Sequence, residues 1–361
     1  MTIPYKRDVI PYCAQLGETA RQIGSVNTLV KRADGTLFGD NTDAYGFAKM
    51  AETAGIRFEG RKTLVLGSGG TSLTACHVIR QAGGEAVVIS RNGDNGYDQL
   101  QRHADATILV NATPVGMYPA VDAVPLDIAC FPALEGVLDV IYNPLRTKLI
   151  QQAEERGCKC AGGLAMLVWQ AVRARELFTG EPVPTEVALA ALRALTREVS
   201  NLVLIGMPGS GKSTVGKRCA HALHLPFIDT DGLIEARAGK PIPSLFAEDG
   251  EAAFRKLESE VLAEVGSHGG QVIATGGGAV LREENRQHLR MNGIVIRLLR
   301  PLGKLSTGGR PLSAGADALR RMERDRGPCY RACADRTVQN DRALPDCVRQ
   351  VLEAYDEALD H

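Results

Sequence analysis

Long apolar runs are missing from these 361 residues. None approaches the roughly 20 consecutive apolar positions that a membrane-crossing helix needs, so no membrane partner is expected. Net charge is missing as well: Lys+Arg and Asp+Glu both number 42. That balance removes the electrostatic footprint of nucleic-acid binding, and small anions must then be held by local positive charge. Cysteine occurs nine times, an odd count, yet never with zinc-ribbon or C-x-x-C spacing; the close pairs are Cys158 with Cys160 and Cys329 with Cys333. Free thiols in a reducing compartment are expected, not a disulfide scaffold. The opening MTIPYKRD has no charged-then-apolar leader, and the expected location is the cytoplasm. Neither an internal repeat nor a low-complexity tract interrupts the chain, whose length predicts two domains.

What is present is a recurring alternation. Strand-like apolar runs end in glycine and give way to helical patterns, which predicts parallel α/β sheets. Thr63 to Leu66, Ala86 to Ser90, Thr107 to Val110 and Val137 to Ile141 read as strands of one doubly wound sheet. TEVALAALRALTREV, from Thr185 to Val199, has helical spacing after a Gly-Glu-Pro turn. Fresh strands follow at Leu202 to Ile205, Phe227 to Ile228, Val272 to Ala274 and Ile294 to Leu298, with a closing helix from Pro345. A boundary near Ser200 is therefore expected.

The segment Gly206-Met207-Pro208-Gly209-Ser210-Gly211-Lys212-Ser213 fits G-x-x-x-x-G-K-S between a strand and a helix, the context that a phosphate loop requires. Its glycines let backbone N–H groups turn inward around phosphate oxygens, and the helix N-terminus adds the positive end of its dipole. Gly209, Ser210, Gly211, Lys212, Ser213 and Thr214 are the expected ATP contacts. Lys212 reaches the β- and γ-phosphates and the Ser213 hydroxyl ligates Mg2+. Asp229-Thr230-Asp231 ends the next strand, at the carboxyl edge where open α/β sheets bind ligands. One carboxylate can serve the metal shell while the other meets an acceptor hydroxyl.

Earlier, Gly67-Ser68-Gly69-Gly70-Thr71-Ser72 follows a strand and opens a helix, although Ser72 replaces the third glycine of G-x-G-x-x-G. Gly67, Gly69 and Gly70 suit a dinucleotide pyrophosphate. Where an NAD site would place an acidic residue on the ribose, the chain has Ser90-Arg91-Asn92, and Arg91 favours the 2′-phosphate of NADP(H).

Downstream of the phosphate loop the order of motifs becomes specific. D-T-D at Asp229, F-R-x-x-E at Phe254 to Glu258, the triple glycine Gly276-Gly277-Gly278, Gly309-Arg310-Pro311-Leu312 and Arg326-Gly327-Pro328-Cys329-Tyr330 follow in turn. Residues 200–361 resemble shikimate kinase. The resemblance implies that Asp231 binds the acceptor hydroxyls of shikimate and takes the proton of the attacking one, and that Arg255 and Arg326 clamp its carboxylate through planar guanidinium forks. It implies further that Gly277 and Gly278 let backbone approach the ring, that Asp229 supports Mg2+, and that Arg310 covers the γ-phosphoryl group from a lid. For adenine the sequence offers Arg300 and Lys304 as candidates and leaves the contacts open. A nucleoside or gluconate kinase sharing the phosphate loop is the competing reading for this half.

Thr2-Ile3-Pro4-Tyr5-Lys6, Val26-Asn27-Thr28, Asn41-Thr42-Asp43, Asn111-Ala112-Thr113, Asp139 to Leu145 and Gly163 to Gln170 form a second ordered set. Residues 1 to about 198 resemble shikimate dehydrogenase. The resemblance implies a catalytic pair Lys6 and Asp43, substrate contacts Thr2, Asn27, Tyr142 and Gln170, and cofactor contacts Asn111 and Thr113. Members of that family open with a strand-helix-strand unit carrying a Ser-x-Ser pair that grips the substrate carboxylate. Residue 1 falls inside the strand leading to Lys6, so impaired dehydrogenase turnover is expected.

The expected organisation is a remnant of the dehydrogenase substrate domain at 1–58, an NADP-binding Rossmann-like doubly wound sheet at 59–178, a helix and linker at 179–199, and a P-loop kinase parallel sheet with helices on both faces at 200–361. The expected function is bifunctional, within aromatic amino-acid and chorismate biosynthesis: reduction of 3-dehydroshikimate and ATP-dependent phosphorylation of shikimate. The alternative is a working kinase carrying a non-catalytic NADP-binding scaffold. Oligomeric state is unreadable.

Overall fold

A computed structural model describes residues 5–305 and 316–359, and the chain divides into two compact units, Met1–Leu192 and Arg193–His361. The first unit begins with β1 (Gln15–Leu16), α1 (Glu18–Ile23), β2 (Thr28–Lys31) and β3 (Leu37–Asp40). These strands form a three-stranded sheet in the order β1-β3-β2, with β1 parallel and β2 antiparallel to β3. Helix α2 (Asp43–Thr53) leads to β4 (Lys62–Leu66), α3 (Gly70–Gln81), β5 (Glu85–Ile89), β6 (Ile108–Asn111), β7 (Gly136–Asp139), α4 (Lys148–Glu155), β8 (Lys159–Ala161), α5 (Leu164–Thr179) and α6 (Thr185–Val199).

Strands β4 to β8 make an all-parallel sheet in the order β5-β4-β6-β7-β8. Successive side chains of a strand leave opposite faces, so both faces of its centre must be apolar. Val65, Val110 and Leu138 enter the core that holds Trp169, while Leu64, Leu66, Leu109 and Val137 enter the core that holds Phe131. Helices α2 and α5 approach closely because position 46 is glycine; a Cβ there would stand 2.5 Å from the Met166 carbonyl oxygen.

The second unit repeats the construction with β9 (Asn201–Ile205), α7 (Lys212–Leu223), β10 (Phe227–Asp229), α8 (Thr230–Ala238), α9 (Ile242–Glu248), α10 (Gly250–Ser267), β11 (Val272–Ala274), α11 (Glu283–Met291), β12 (Gly293–Leu299), α12 (Ala316–Cys333), β13 (Arg336–Gln339) and α13 (Leu344–Ala358). Its parallel sheet runs β10-β11-β9-β12-β13. Val203, Ile205, Ile273 and Val295 face one core; Leu202, Leu204, Val272 and Ile296 face the other. In both sheets the first strand, β4 or β9, is flanked by strands reached in opposite directions. Its carboxyl end is therefore the crevice where such sheets bind ligands.

Several expectations needed correction. The division falls inside α6, between Leu192 and Arg193, because Ala188 and Leu192 pack into the first unit's core while the helix runs on unbroken. Asp231 is not on the strand end: β10 stops at Asp229, whose carboxylate caps α8 by accepting the Asp231 N–H at 3.2 Å. Strand β7 ends at Asp139, two residues early, because its carboxylate draws the Ile141 N–H to itself at 3.1 Å. Edge strands β8 and β13 carry no apolar run; in β13 only Val338 is buried. Among the described residues no helix is long and apolar enough to cross a membrane, and no group of three or more His, Cys, Asp or Glu could hold a metal ion.

Candidate functional sites

In the second unit the loop from Gly206 to Gly211 turns sharply, with positive φ at Gly206 (144°), Gly209 (78°) and Gly211 (96°), backbone that only glycine adopts cheaply. The buried Lys212 folds its ammonium onto the carbonyl oxygens of Gly206 and Met207, at 2.8 and 3.1 Å. Ser213 donates its hydroxyl to Asp229 Oδ2 at 2.7 Å, which brings together the pair expected at the metal. The Ser210 side chain is wholly buried, and Thr214 is exposed on the first turn of α7.

The triple glycine lies beside this loop. A Cβ on Gly277 would meet Pro208 Cγ at 2.6 Å, so the backbone of the turn after β11 packs directly on the proline ring of the phosphate loop. A Cβ on Gly276 would meet Asp231 Oδ1 at 2.5 Å, and one on Gly278 would collide with the Arg255 guanidinium. Arg326 Nη1 donates to the Gly277 carbonyl oxygen at 3.0 Å, and the Tyr330 hydroxyl donates to the same oxygen at 2.5 Å. Burial pushes the Tyr330 phenol up to about 12, which keeps it a donor. Arg255 is buried against Glu258, 2.7 Å away, and burial raises the Glu258 carboxyl despite the pull of that guanidinium. Asp231, Arg255 and Arg326 thus converge on one turn. Arg310 and the rest of the expected lid, 306–312, lie outside the described residues, as does Thr2.

In the first unit Lys6 Nζ and Asp43 Oδ2 meet at 2.6 Å, both mostly shielded from solvent. Around them a polar lattice forms: Asn27 Nδ2 donates to Thr42 Oγ1 at 3.1 Å, the Thr42 N–H donates to Asn27 Oδ1 at 2.8 Å, and Thr42 Oγ1 donates to Gln170 Oε1 at 3.3 Å. Tyr142 stands half exposed, and Arg91 is exposed just beyond β5. At the β4 end Gly67 takes φ 100°, and a Cβ there would press on Thr113 Cγ2 at 3.0 Å, whereas Gly69 and Gly70 face open space.

Beneath that loop sits a residue that sequence reasoning did not assign to the site. Asp139 is fully buried and accepts from Asn111 Nδ2 (3.1 Å), the Thr147 hydroxyl (2.7 Å) and the Ile141 N–H (3.1 Å). Asn111 Oδ1 in turn receives the Thr113 hydroxyl at 2.6 Å. Burial raises the Asp139 carboxyl to about 6 against the opposing pull of these donors.

A glycine-turn dinucleotide sheet with a Lys-Asp pair, and a phosphate-loop sheet whose cationic pocket faces the loop, define an oxidoreductase-type unit and a small-molecule kinase. Comparison with known proteins supplies the families. Residues 208–356 match the shikimate kinase family model, and residues 163–193 match that of the shikimate 5'-dehydrogenase C-terminal domain. A shikimate dehydrogenase (NADP(+)) of Clostridium perfringens is 34% identical over 194 residues, 50% of this chain and 71% of that protein. A shikimate kinase of Symbiobacterium thermophilum is 43% identical over 168 residues, 44% of this chain and 97% of that protein. The crystal structure of a chorismate mutase/shikimate 5-dehydrogenase fusion protein from Clostridium acetobutylicum superposes with a TM-score of 0.52 at 31% identity, covering 54% of this chain and 75% of its own. The chain belongs to the shikimate dehydrogenase family in its first half and to the shikimate kinase family in its second, and is a bifunctional shikimate-pathway enzyme.

Proposed function

We propose that the second unit transfers the γ-phosphoryl group of ATP to the 3-hydroxyl of shikimate, and that the first unit reduces 3-dehydroshikimate to shikimate with NADPH. The observation that carries the kinase reading is the convergence of Arg255 and Arg326 on the triple glycine, which itself abuts Pro208 of the phosphate loop. Two guanidinium forks suit one carboxylate, and an acceptor held there lies next to the transferred phosphoryl group.

In-line phosphoryl transfer needs positioning and charge neutralisation more than covalent help. Lys212 exchanges its two loop carbonyls for phosphate oxygens. Asp231 accepts the proton of the attacking hydroxyl. Ser213 and Asp229, a hydroxyl and a carboxylate already in contact, offer hard oxygens of the kind Mg2+ takes alongside phosphates and water. Glu258 holds Arg255 in place.

In the first unit, NADPH supplies the hydride. The turn at Gly67, which a Cβ would fill, together with Gly69 and Gly70, fits its pyrophosphate; Arg91 fits the 2′-phosphate, and Asn111 and Thr113 hold it from below. Asn27, Tyr142 and Gln170 orient the substrate. Lys6 and Asp43 deliver the proton that the new hydroxyl requires.

Two assays on the whole chain test the reading. Shikimate should release ADP from ATP in the presence of Mg2+, where gluconate and nucleosides do not, and shikimate should reduce NADP+. ADP release with another acceptor but not shikimate would overturn the first half. Binding of NADP+ without turnover would leave a cofactor-binding scaffold attached to a kinase.

A further inference from the structure

The segment after β13 belongs to no motif, yet it reaches the phosphate loop. Asn340 Nδ2 donates to the carbonyl oxygen of Ser210 at 2.7 Å, across 130 residues of sequence. The Asn340 backbone is itself fixed, its N–H donating to the Leu299 carbonyl oxygen at 2.7 Å, an extension of the β12–β13 ladder. The side chain is only partly exposed and packs against the loop so closely that a Cβ on Gly211 would stand 2.6 Å from Nδ2.

A trans peptide is planar, and its carbonyl and N–H point in opposite directions. Pinning the Ser210 carbonyl toward β13 therefore turns the Gly211 N–H to the opposite, concave side of the loop. Gly211 lies at φ 96°, so this peptide plane has no helical ladder of its own to hold it. We infer that Asn340 is a positioning residue for nucleotide binding: its amide sets the orientation of the Ser210–Gly211 peptide, and through it the donor that the loop presents to a phosphate. Asn340 touches no reacting atom. Its effect should fall on the nucleotide and spare the acceptor, whose pocket is built from α8, α10, α12 and the triple glycine on the other side of the loop.

The inference rests on the kinase reading above, and the experiment separates the two. Wild-type ADP release with shikimate tests that reading by itself. Given it, Asn340→Ala should raise the KM for ATP about tenfold, the worth of one such hydrogen bond, with the KM for shikimate within twofold. Asn340→Asp should be at least as damaging, since a carboxylate cannot donate to the Ser210 carbonyl and adds negative charge beside the phosphates. A merely structural role would raise both KM values together or lower kcat without touching the KM for ATP. Either result, or an unchanged KM for ATP in both variants, would overturn the assignment. If Asn340→Ala lowers the unfolding midpoint by several degrees, ADP affinity of Asn340→Gln decides: its amide is displaced by one methylene, and unweakened binding would count against the inference.

Discussion

Lys6 and Asp43 are 37 residues apart in the chain and 2.6 Å apart in space, and separate elements bring them there. The Lys6 carbonyl oxygen accepts the Val26 N–H at 2.8 Å, and Asp43 opens α2 directly after the Asn27–Thr42 lattice. An ammonium and a carboxylate in contact can pass a proton only if the surrounding frame holds both, and the relay proposed above rests on this frame.

Lys6→Met removes the relay. NADP+-dependent oxidation of shikimate should fall by about 100-fold or more, in the range that general acid–base groups contribute. NADP+ affinity and the kinase rate should stay within twofold, as read by titration and by ADP release. A parallel loss of NADP+ binding would mean that the pair supports the fold instead of the reaction.

Arg326→Lys tests the carboxylate clamp. A lysine keeps the charge but loses the planar fork and the hydrogen bond to Gly277. The expected outcome is a fall in kcat/KM for shikimate of about tenfold or more, with the KM for ATP unchanged. Steady-state kinetics with each substrate varied in turn gives the answer.

Ser213→Ala removes the hydroxyl now resting on Asp229. Half-saturation for Mg2+ in the kinase assay should rise on the order of tenfold, partly restored at high Mg2+. A change insensitive to Mg2+ would place Ser213 outside the metal shell.

Asp139 makes a pH-dependent contribution to the first unit. Its carboxyl titrates near 3.8 in an unfolded chain and near 6 when buried, so the folded state holds the proton more tightly. The associated stabilisation is complete below the unfolded value and is lost as pH rises through about 6, amounting to about 3 kcal/mol. Asp139→Asn mimics the protonated form at every pH. The stability of wild type relative to this variant should therefore drop by most of that amount between pH 4 and pH 7. The single tryptophan, Trp169, is buried in this unit's core and reports its denaturant unfolding. A flat difference across that range would mean that Asp139 ionises normally.

Both phosphate-binding loops are legible in the sequence, because their residues are consecutive and their glycines are demanded by backbone geometry. Arg255 and Arg326 are legible as members of an ordered motif series, but their meeting on Gly277 and Gly278 is not. Asp139 lies in the run from Asp139 to Leu145, where nothing local marks it as the buried acceptor beneath the dinucleotide loop. Asn340 and β13 escape altogether: an edge strand exposes one side, and RTVQ offers only Val338 to the core.

Alternating apolar strands, glycine turns and helical spacing are local, since each follows from steric and hydrogen-bonding demands within a few residues. They are enough to read two parallel α/β sheets and the chemistry at each first strand. Contacts such as Asn340 with Ser210, or Thr42 with Gln170, join positions 130 and 128 residues apart. No local rule encodes such pairings, because they arise only when elements far apart in the sequence pack against one another in the folded unit.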